Sequence, residues 1–191
     1  MARQQQEKPV PALPTTAYAV LGLLSFGTEV TGYDLRKWAM NMRFFYWSPA
    51  QSQIYAELRR LRQHGLVDER TEPQRGRPDK HLYKITDAGL AALREWLHYA
   101  EVGPPLLKHS VALRLFFGHQ ADPERLREVL RDYAAWAQKQ VDELTDLYPQ
   151  LLPDLPYPLL VARWGQSYFV AEIAAANAAI AALEKQSGTT H

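Results

Sequence analysis

"SPAQSQIYAELRRLRQHGLV", residues 48–67, is the stretch whose reading decides the fold. Ser48, Pro49 and Gln51 form a capping-box pattern with proline at the first helical position, which predicts a well-specified helix start. Gly65 predicts a left-handed cap at the other end. At 100° per residue, Ile54, Leu58 and Leu61 gather within about 60° of one another, so one edge is built for a core. The far side carries Ser52, Ala56, Arg59 and Gln63, flanked by Gln53 and Arg60, with no acid directly opposite the core edge. That face has no packing duty, so its use depends on what surrounds it.

Upstream, "TTAYAVLGLLS" (15–25) predicts a short apolar helix with Thr15 or Thr16 as N-cap. After the turn "FGTEVTG", "TGYDLRKWAMNM" (31–42) predicts a second helix with Leu35, Trp38, Ala39 and Met42 on its buried edge. Downstream, "LVDERTE" (66–72) and "LYKIT" (82–86) read as short strands joined by the loop "PQRGRPDKH", a hairpin with a long tip. "TDAGLAALREWLHYA" (86–100) resumes helix, with Thr86 as N-cap and an apolar stripe of Leu90, Leu93, Trp96 and Leu97. Helix, helix, helix, hairpin, helix is the order of a winged helix-turn-helix.

Near "EVGPP" the character changes, placing a domain boundary at residues 100–105. "LLKHSVALRLFFG" predicts an apolar helix closed by Gly118. Asp122 and Pro123 cap a long helix reaching about Tyr148, roughly 40 Å, with a coiled-coil-like seam of Leu126, Leu130, Tyr133, Ala137, Leu144 and Leu147. "PQLLPDLPYP" is a turn. The last helix, about Leu159 to Glu184, is alanine-rich and apolar around its circumference, so most of its sides need cover. Ala171, Ala174, Ala175, Ala178 and Ala182 permit close approach, which points to a dimer interface. The expected fold is mainly α: a flexible arm (1–14), a winged helix-turn-helix with a small β-hairpin wing (15–100), and a C-terminal α-helical dimerisation domain (105–186).

The chain has 191 residues, 47% apolar, 23% charged, and no cysteine. This composition is that of a soluble globular protein and excludes a disulfide framework and thiolate chemistry. There is no signal-peptide pattern, and no run approaching the roughly 18 apolar residues of a membrane span. A cytoplasmic protein without membrane contact is expected. The net charge of +1 hides an asymmetry. Residues 1–100 carry fourteen Lys and Arg against ten acids, and residues 101–191 eight against eleven. Between Arg36 and Lys84 there are eleven basic and five acidic residues. A basic half joined to a mildly acidic half suggests an anion-binding module attached to something else.

In a helix-turn-helix, the second helix of the motif enters the major groove, its N-terminal residues at base edges. Ser52 and Gln53 occupy those positions, with Ser48 and Gln51 at their edge. Gln pairs with adenine through both amide groups, and Ser with either partner. Ala56 permits close approach or touches a thymine methyl. Arg59 and Arg60 are better placed for phosphate. The hairpin tip carries Arg75, Arg77 and Lys80, shaped by Gly76 and Pro78, and suits a minor groove, whose negative potential favours arginine.

Three blocks, "AYAVLGLLSFGTEVTGYDL", "SQIYAELRRLRQHGLV" and "GRPDKHLYKITDAGLAALREWL", in order over about residues 15–100, resemble the PadR family of bacterial transcriptional regulators. The third block, Gly-Arg-Pro before Tyr-x-Ile-Thr-x-x-Gly, is the most specific. The C-terminal part is similar to the family's larger subgroup, with its AphA-like helical domain. The resemblance implies a homodimer on a near-palindromic operator of double-stranded DNA, usually a repressor, in many members released by small aromatic compounds. Carried over by position, it implies base reading by Ser52, Gln53 and Tyr55. It places Thr31, Gly32 and Tyr33 at the DNA backbone, and Arg75, Gly76 and Arg77 at the wing tip. Ser52 and Ala56 stand where many members have Gly and Pro, so the base preference is not transferable.

No catalytic constellation is present. The six histidines are scattered without the i, i+4 spacing of a helical metal site, and no phosphate-binding glycine loop occurs. Neither cofactor nor metal nor enzyme activity is expected, and His109 and His119 read as surface residues. Aromatics concentrate around the junction and the C-terminal bundle. Trp96, Tyr133, Trp136, Trp164 and Tyr168 are the candidates for an aromatic effector, against the plainer role of core packing. Alternatives to an effector-relieved repressor are a constitutive or architectural DNA-binding protein and an activator-type regulator.

Overall fold

The computed structural model describes residues 13–27, 29–40, 50–76, 78–104, 109–146 and 156–188, with side chains to residue 186. It divides into two compact units, Met1–Gly103 and Pro104–His191.

The first unit runs α1 (Thr15–Leu24), β1 (Val30–Thr31), α2 (Gly32–Ala39), α3 (Gln51–Gln63), β2 (Val67–Glu72), β3 (Lys80–Ile85) and α4 (Asp87–Tyr99). The sheet is antiparallel in the order β1-β3-β2. Ala17, Val20, Leu21 and Leu24 of α1 meet Leu35 and Ala39 of α2 and Ile54, Leu58 and Leu61 of α3 in one closed core. The three α3 residues are those that helical spacing grouped. This is a winged helix-turn-helix, with α2 and α3 as the motif and β2–β3 as the wing.

Several local expectations shift. The first helical residue of α1 is Thr15 and its N-cap is Pro14, with no side-chain cap. Thr16 instead donates to Glu57 of α3 at 2.7 Å, since a carboxylate is a stronger acceptor than a neutral group. The turn before α2 contains β1, which two residues of alternation are too short to reveal. Lys80 and His81, expected in the loop, belong to β3 because they pair with Glu72 and Thr71. The N-cap of α3 is Ala50 rather than Ser48. Gln53 Oε1 reaches back to accept the Ala50 N–H at 3.0 Å. Alanine offers no acceptor in return, so only one arm of a capping box forms. Met42, Ser48 and Pro49 lie outside the described residues.

Gly65 ends α3 at φ +69°, as expected. Thr86 then caps α4, its Oγ1 accepting Gly89 N–H at 3.0 Å and donating to Gly65 O at 2.8 Å. A Cβ at Gly89 would lie 2.1 Å from Leu66 O, so the Thr-x-x-Gly pattern marks a backbone contact that tolerates no side chain.

The second unit contains α5 (Ser110–Phe116), a 3-10 turn (Gly118–Gln120), α6 (Pro123–Asp146) and α7 (Pro156–Gly188). Asp122 Oδ1 accepts the Glu124 N–H at 3.1 Å, so the predicted cap of α6 forms. α6 runs along α7; the buried residues are Leu126, Leu130, Ala137, Val141 and Leu144 on α6 and include Ala162, Phe169 and Ala176 on α7. Leu147, expected in the seam, and the turn after it lie outside the described residues. α7 is about 50 Å long. Along it Tyr157, Leu160, Val161 and Trp164, spaced i, i+3, i+4 and i+7, stay 51–79% exposed.

One expectation about composition needs correcting. Residues 156–186 are long and apolar enough to cross a membrane, with a mean hydropathy of 1.2 over the best window, 11% of it buried. No unbroken apolar run signalled it, because alanines raise the mean while Arg163 and Glu172 interrupt the stretch.

Candidate nucleic-acid interface

The first turn of α3 presents Gln51, Ser52 and Gln53 to solvent, followed on the same side by Ala56, Arg59 and Arg60. Backbone N–H groups at a helix start lack intrahelical partners and carry a positive partial charge, which suits an anion beside base edges. Gln53 is partly engaged, since its Oε1 holds the Ala50 N–H, while its amide nitrogen projects from an exposed side chain.

The cations on α3 differ in their commitments. Arg60 lies 3.2 Å from Glu57, the carboxylate that also takes Thr16. Arg62 is paired with Glu69 of β2. Arg59 is exposed on the outer face, where it is available for phosphate. Arg70, on β2, is held by Glu29 at 2.6 Å, and its hydrogen bond holds the Glu29 carboxyl below the usual carboxylate range.

At the start of α2, Thr31 is engaged in a full capping box. Its Oγ1 accepts Asp34 N–H at 3.1 Å and donates to Asp34 Oδ2 at 2.6 Å, and Asp34 takes the Thr31 N–H at 3.0 Å. Hydrogen bonding from Thr31, against some burial, keeps the Asp34 carboxyl below its ordinary range. Gly32 is buried, and a Cβ there would lie 2.7 Å from the Tyr55 ring. Tyr55 is therefore half-buried under α2, not displayed beside Ser52 and Gln53. Tyr33 is 65% exposed. On the wing, Arg75, Gly76 and Lys80 are all exposed, Gly76 at φ +72°. Ser48 and Arg77 lie outside the described residues.

The effector candidates fall in both units, Trp96 in the first and the other four in the second. Trp96 stacks on Tyr18 at 4.9 Å inside the first unit. Trp164 is 75% exposed on the α7 stripe. Tyr133, Trp136 and Tyr168 do come together, with Trp136 against both Tyr133 and Phe169, and Phe169 against Tyr168. Two residues that sequence reasoning missed complete this cluster. His109, taken for a surface residue, caps α5 by accepting Ala112 N–H and places Nε2 2.7 Å from Glu172 and 3.0 Å from the Tyr133 hydroxyl. Tyr133 also donates to Glu172 at 2.8 Å. Burial, then this hydrogen bond, raises the Tyr133 phenol well above its ordinary range. Burial works against ionised Glu172, but hydrogen bonds from Tyr133, His109 and Tyr168 outweigh it and hold the carboxyl low. The signal was a lone acid within the alanine-rich run, which in such a setting needs a partner. A concavity of about 420 Å³ lies elsewhere, lined by Leu113, Arg114, Phe117, Arg125, Leu126 and Val129 among others. None of the five aromatic candidates borders it.

Comparison with known proteins bears on both units. A family model described as "Transcriptional regulator PadR-like family" matches residues 20–95, and one described as "Virulence activator alpha C-term" matches residues 107–184. The negative transcriptional regulator PadR of Bacillus subtilis (strain 168) is 30% identical over 135 residues, covering 71% of this chain and 74% of that protein. The crystal structure of Bacillus subtilis PadR in complex with operator DNA superimposes with a TM-score of 0.78 at 26% identity, covering 89% of this chain and 99% of that one. A Bacillus subtilis PadR structure in complex with p-coumaric acid gives 0.73 at 24% identity, covering 90% and 99%, and supports the fold.

Proposed function

Because the chain belongs to the PadR-like family of transcriptional regulators, we propose that it is a homodimeric, sequence-specific DNA-binding repressor of the cytoplasm. The observation that carries this is the outer side of α3, where Gln51, Ser52, Gln53, Ala56 and Arg59 stand exposed beside a basic wing. In the major groove, Ser52 and Gln53 read base edges, Gln51 borders them, and Arg59 takes phosphate. Arg75 and Lys80 follow the minor groove. Support comes from the operator complex of the Bacillus subtilis relative and from its name as a negative regulator.

Two such helices reach successive turns of duplex when about 34–36 Å apart. The α7 stripe is the surface that pairs the subunits, and an apolar stripe of this width needs cover. A self-complementary protein partner fits better than lipid, since Glu172 on the same helix is tied to His109 and Tyr133.

Footprinting on the duplex flanking the protein's own gene tests the reading. A regulator should prefer that duplex over random sequence by about 10³ or more. Little preference would favour the architectural alternative. Relief by a small aromatic compound rests on the p-coumaric acid complex of the relative and on the Tyr133–Trp136–Tyr168 cluster. Quenching of Trp136 fluorescence by phenolic acids, with operator release, is the expected result. Silence across the series would leave a regulator without effector.

A further inference from the structure

Strand alternation puts Val67, Glu69 and Thr71 of β2 on the same face as Ile85, Tyr83 and His81 of β3. At one end this face is core, with Val67 buried and Ile85 packed against the same cluster. At its middle stands a carboxylate. Glu69 is 15% exposed at its side chain, although its neighbours Asp68 and Arg70 are open to solvent. One of its oxygens pairs with Arg62 near the end of α3. The other lies 2.7 Å from His81 Nδ1 and accepts the Tyr83 hydroxyl at 3.4 Å. Thr71 Oγ1 is 3.5 Å from the same ring nitrogen. Burial, then the nearby Glu69 charge, pushes the Tyr83 phenol up to about 12, so it stays a donor.

Among the acids of this hairpin, Asp68, Glu72 and Asp79 are exposed and Glu69 alone is mostly covered. It lies in the stretch where basic residues outnumber acids by eleven to five, on a module that meets a polyanion. A bare carboxylate would repel phosphate, and this one is covered by the two elements that reach the duplex, α3 and the wing.

We propose that Glu69 is a positioning residue for DNA reading, which pins the wing to α3. It thereby fixes the angle between the face of Ser52, Gln53 and Arg59 and the tip of Arg75 and Lys80, so that both meet the duplex in one register. This rests on the operator-reading role argued above. Without the carboxylate the hairpin swings about its core end, and ordering it on DNA consumes binding free energy.

The test is a double-mutant cycle on the duplex flanking the protein's own gene. Glu69→Ala should weaken binding roughly 5- to 30-fold, the range of a coupling between groups sharing one network. Arg75→Ala should cost much less in the Glu69→Ala background than in the unaltered chain. Arg59→Ala should cost the same in both. A role in folding alone would instead lower the melting temperature and make the three substitutions additive, which overturns the proposal. Hydrogen exchange without DNA gives an independent reading. Amides of Thr71, Glu72 and residues 80–82 should exchange faster in Glu69→Ala, with those of α1 and α3 unchanged. Unchanged wing exchange also overturns it. Should the unaltered chain bind no duplex, the operator role fails and the positioning role with it, while exchange still shows whether the carboxylate holds the hairpin.

Discussion

Helices α3 and α7 each keep one side uncovered, and the two sides have opposite chemistry. On α3, Ile54, Leu58 and Leu61 are fully buried, and the open side is Ser52, Gln53, Ala56 and Arg59. On α7 the buried residues are a sparse set, and the open side is Tyr157, Leu160, Val161 and Trp164. A helix that has buried its large aliphatic residues presents a surface fit for a hydrated, charged partner. A helix with aromatics left over presents one fit for another protein. The contrast separates the roles of the two units without reference to any relative.

The covered side of α3 should give the largest response. Leu58→Ala is expected to cost about 2–5 kcal/mol, from lost burial plus a residual cavity. A shift in denaturant midpoint checks this, and a shift below 1 kcal/mol would mean that α3 is not seated as described. On the open side of α7, Trp164→Asp should remove about 2–4 kcal/mol from subunit pairing, as for a buried interface anchor. Sedimentation should then find single subunits at concentrations where the unaltered chain is paired. Unchanged sedimentation would detach the stripe from the interface.

Smaller effects separate the two kinds of DNA contact proposed for α3. Gln53→Ala should cost about 1–3 kcal/mol at one base position and relax discrimination there. Equal weakening on all sequences would mean that the residue serves only to hold the Ala50 N–H. Arg59→Ala should weaken every duplex and lower the salt slope by about 1. Acidification probes the second unit. Its Glu172 carboxyl is held below the unfolded value of about 4.3. The stabilisation is therefore complete above that value and lost as pH falls through the lower folded one. Thermal scans from pH 6 to pH 3 should show the loss, and Glu172→Gln should flatten the acid limb. A variant that tracks the unaltered chain would show that the cluster does not hold the unit together.

The α3 core edge, the Gly65 cap and the Thr86 cap were legible because each rests on spacing of a few residues. The start of α3 was misplaced because Ser48, Pro49 and Gln51 imitate a cap that Ala50 and Gln53 form two residues later. β1 was invisible, since its two residues become a strand only when Tyr83 and Leu82 lie alongside. His109 was misread because its partner Glu172 is 63 positions away. Tyr55 was carried over as a base reader by position in the resemblance, which says nothing of how its ring packs. Only the approach of Gly32 shows that its ring is spoken for. Distance in sequence, more than residue type, separates what could be seen early from what could not.

The Thr86 hydroxyl works beside its own backbone N–H, which donates to Leu66 O at 3.1 Å, to tie the end of α3 to the start of α4. It grips the last carbonyl after α3 while anchoring the first turn of α4. The C-terminal end of α3 and the first turn of α4 are thus held as one corner around Gly65 and Leu66, so neither helix can change pitch there without breaking a hydrogen bond.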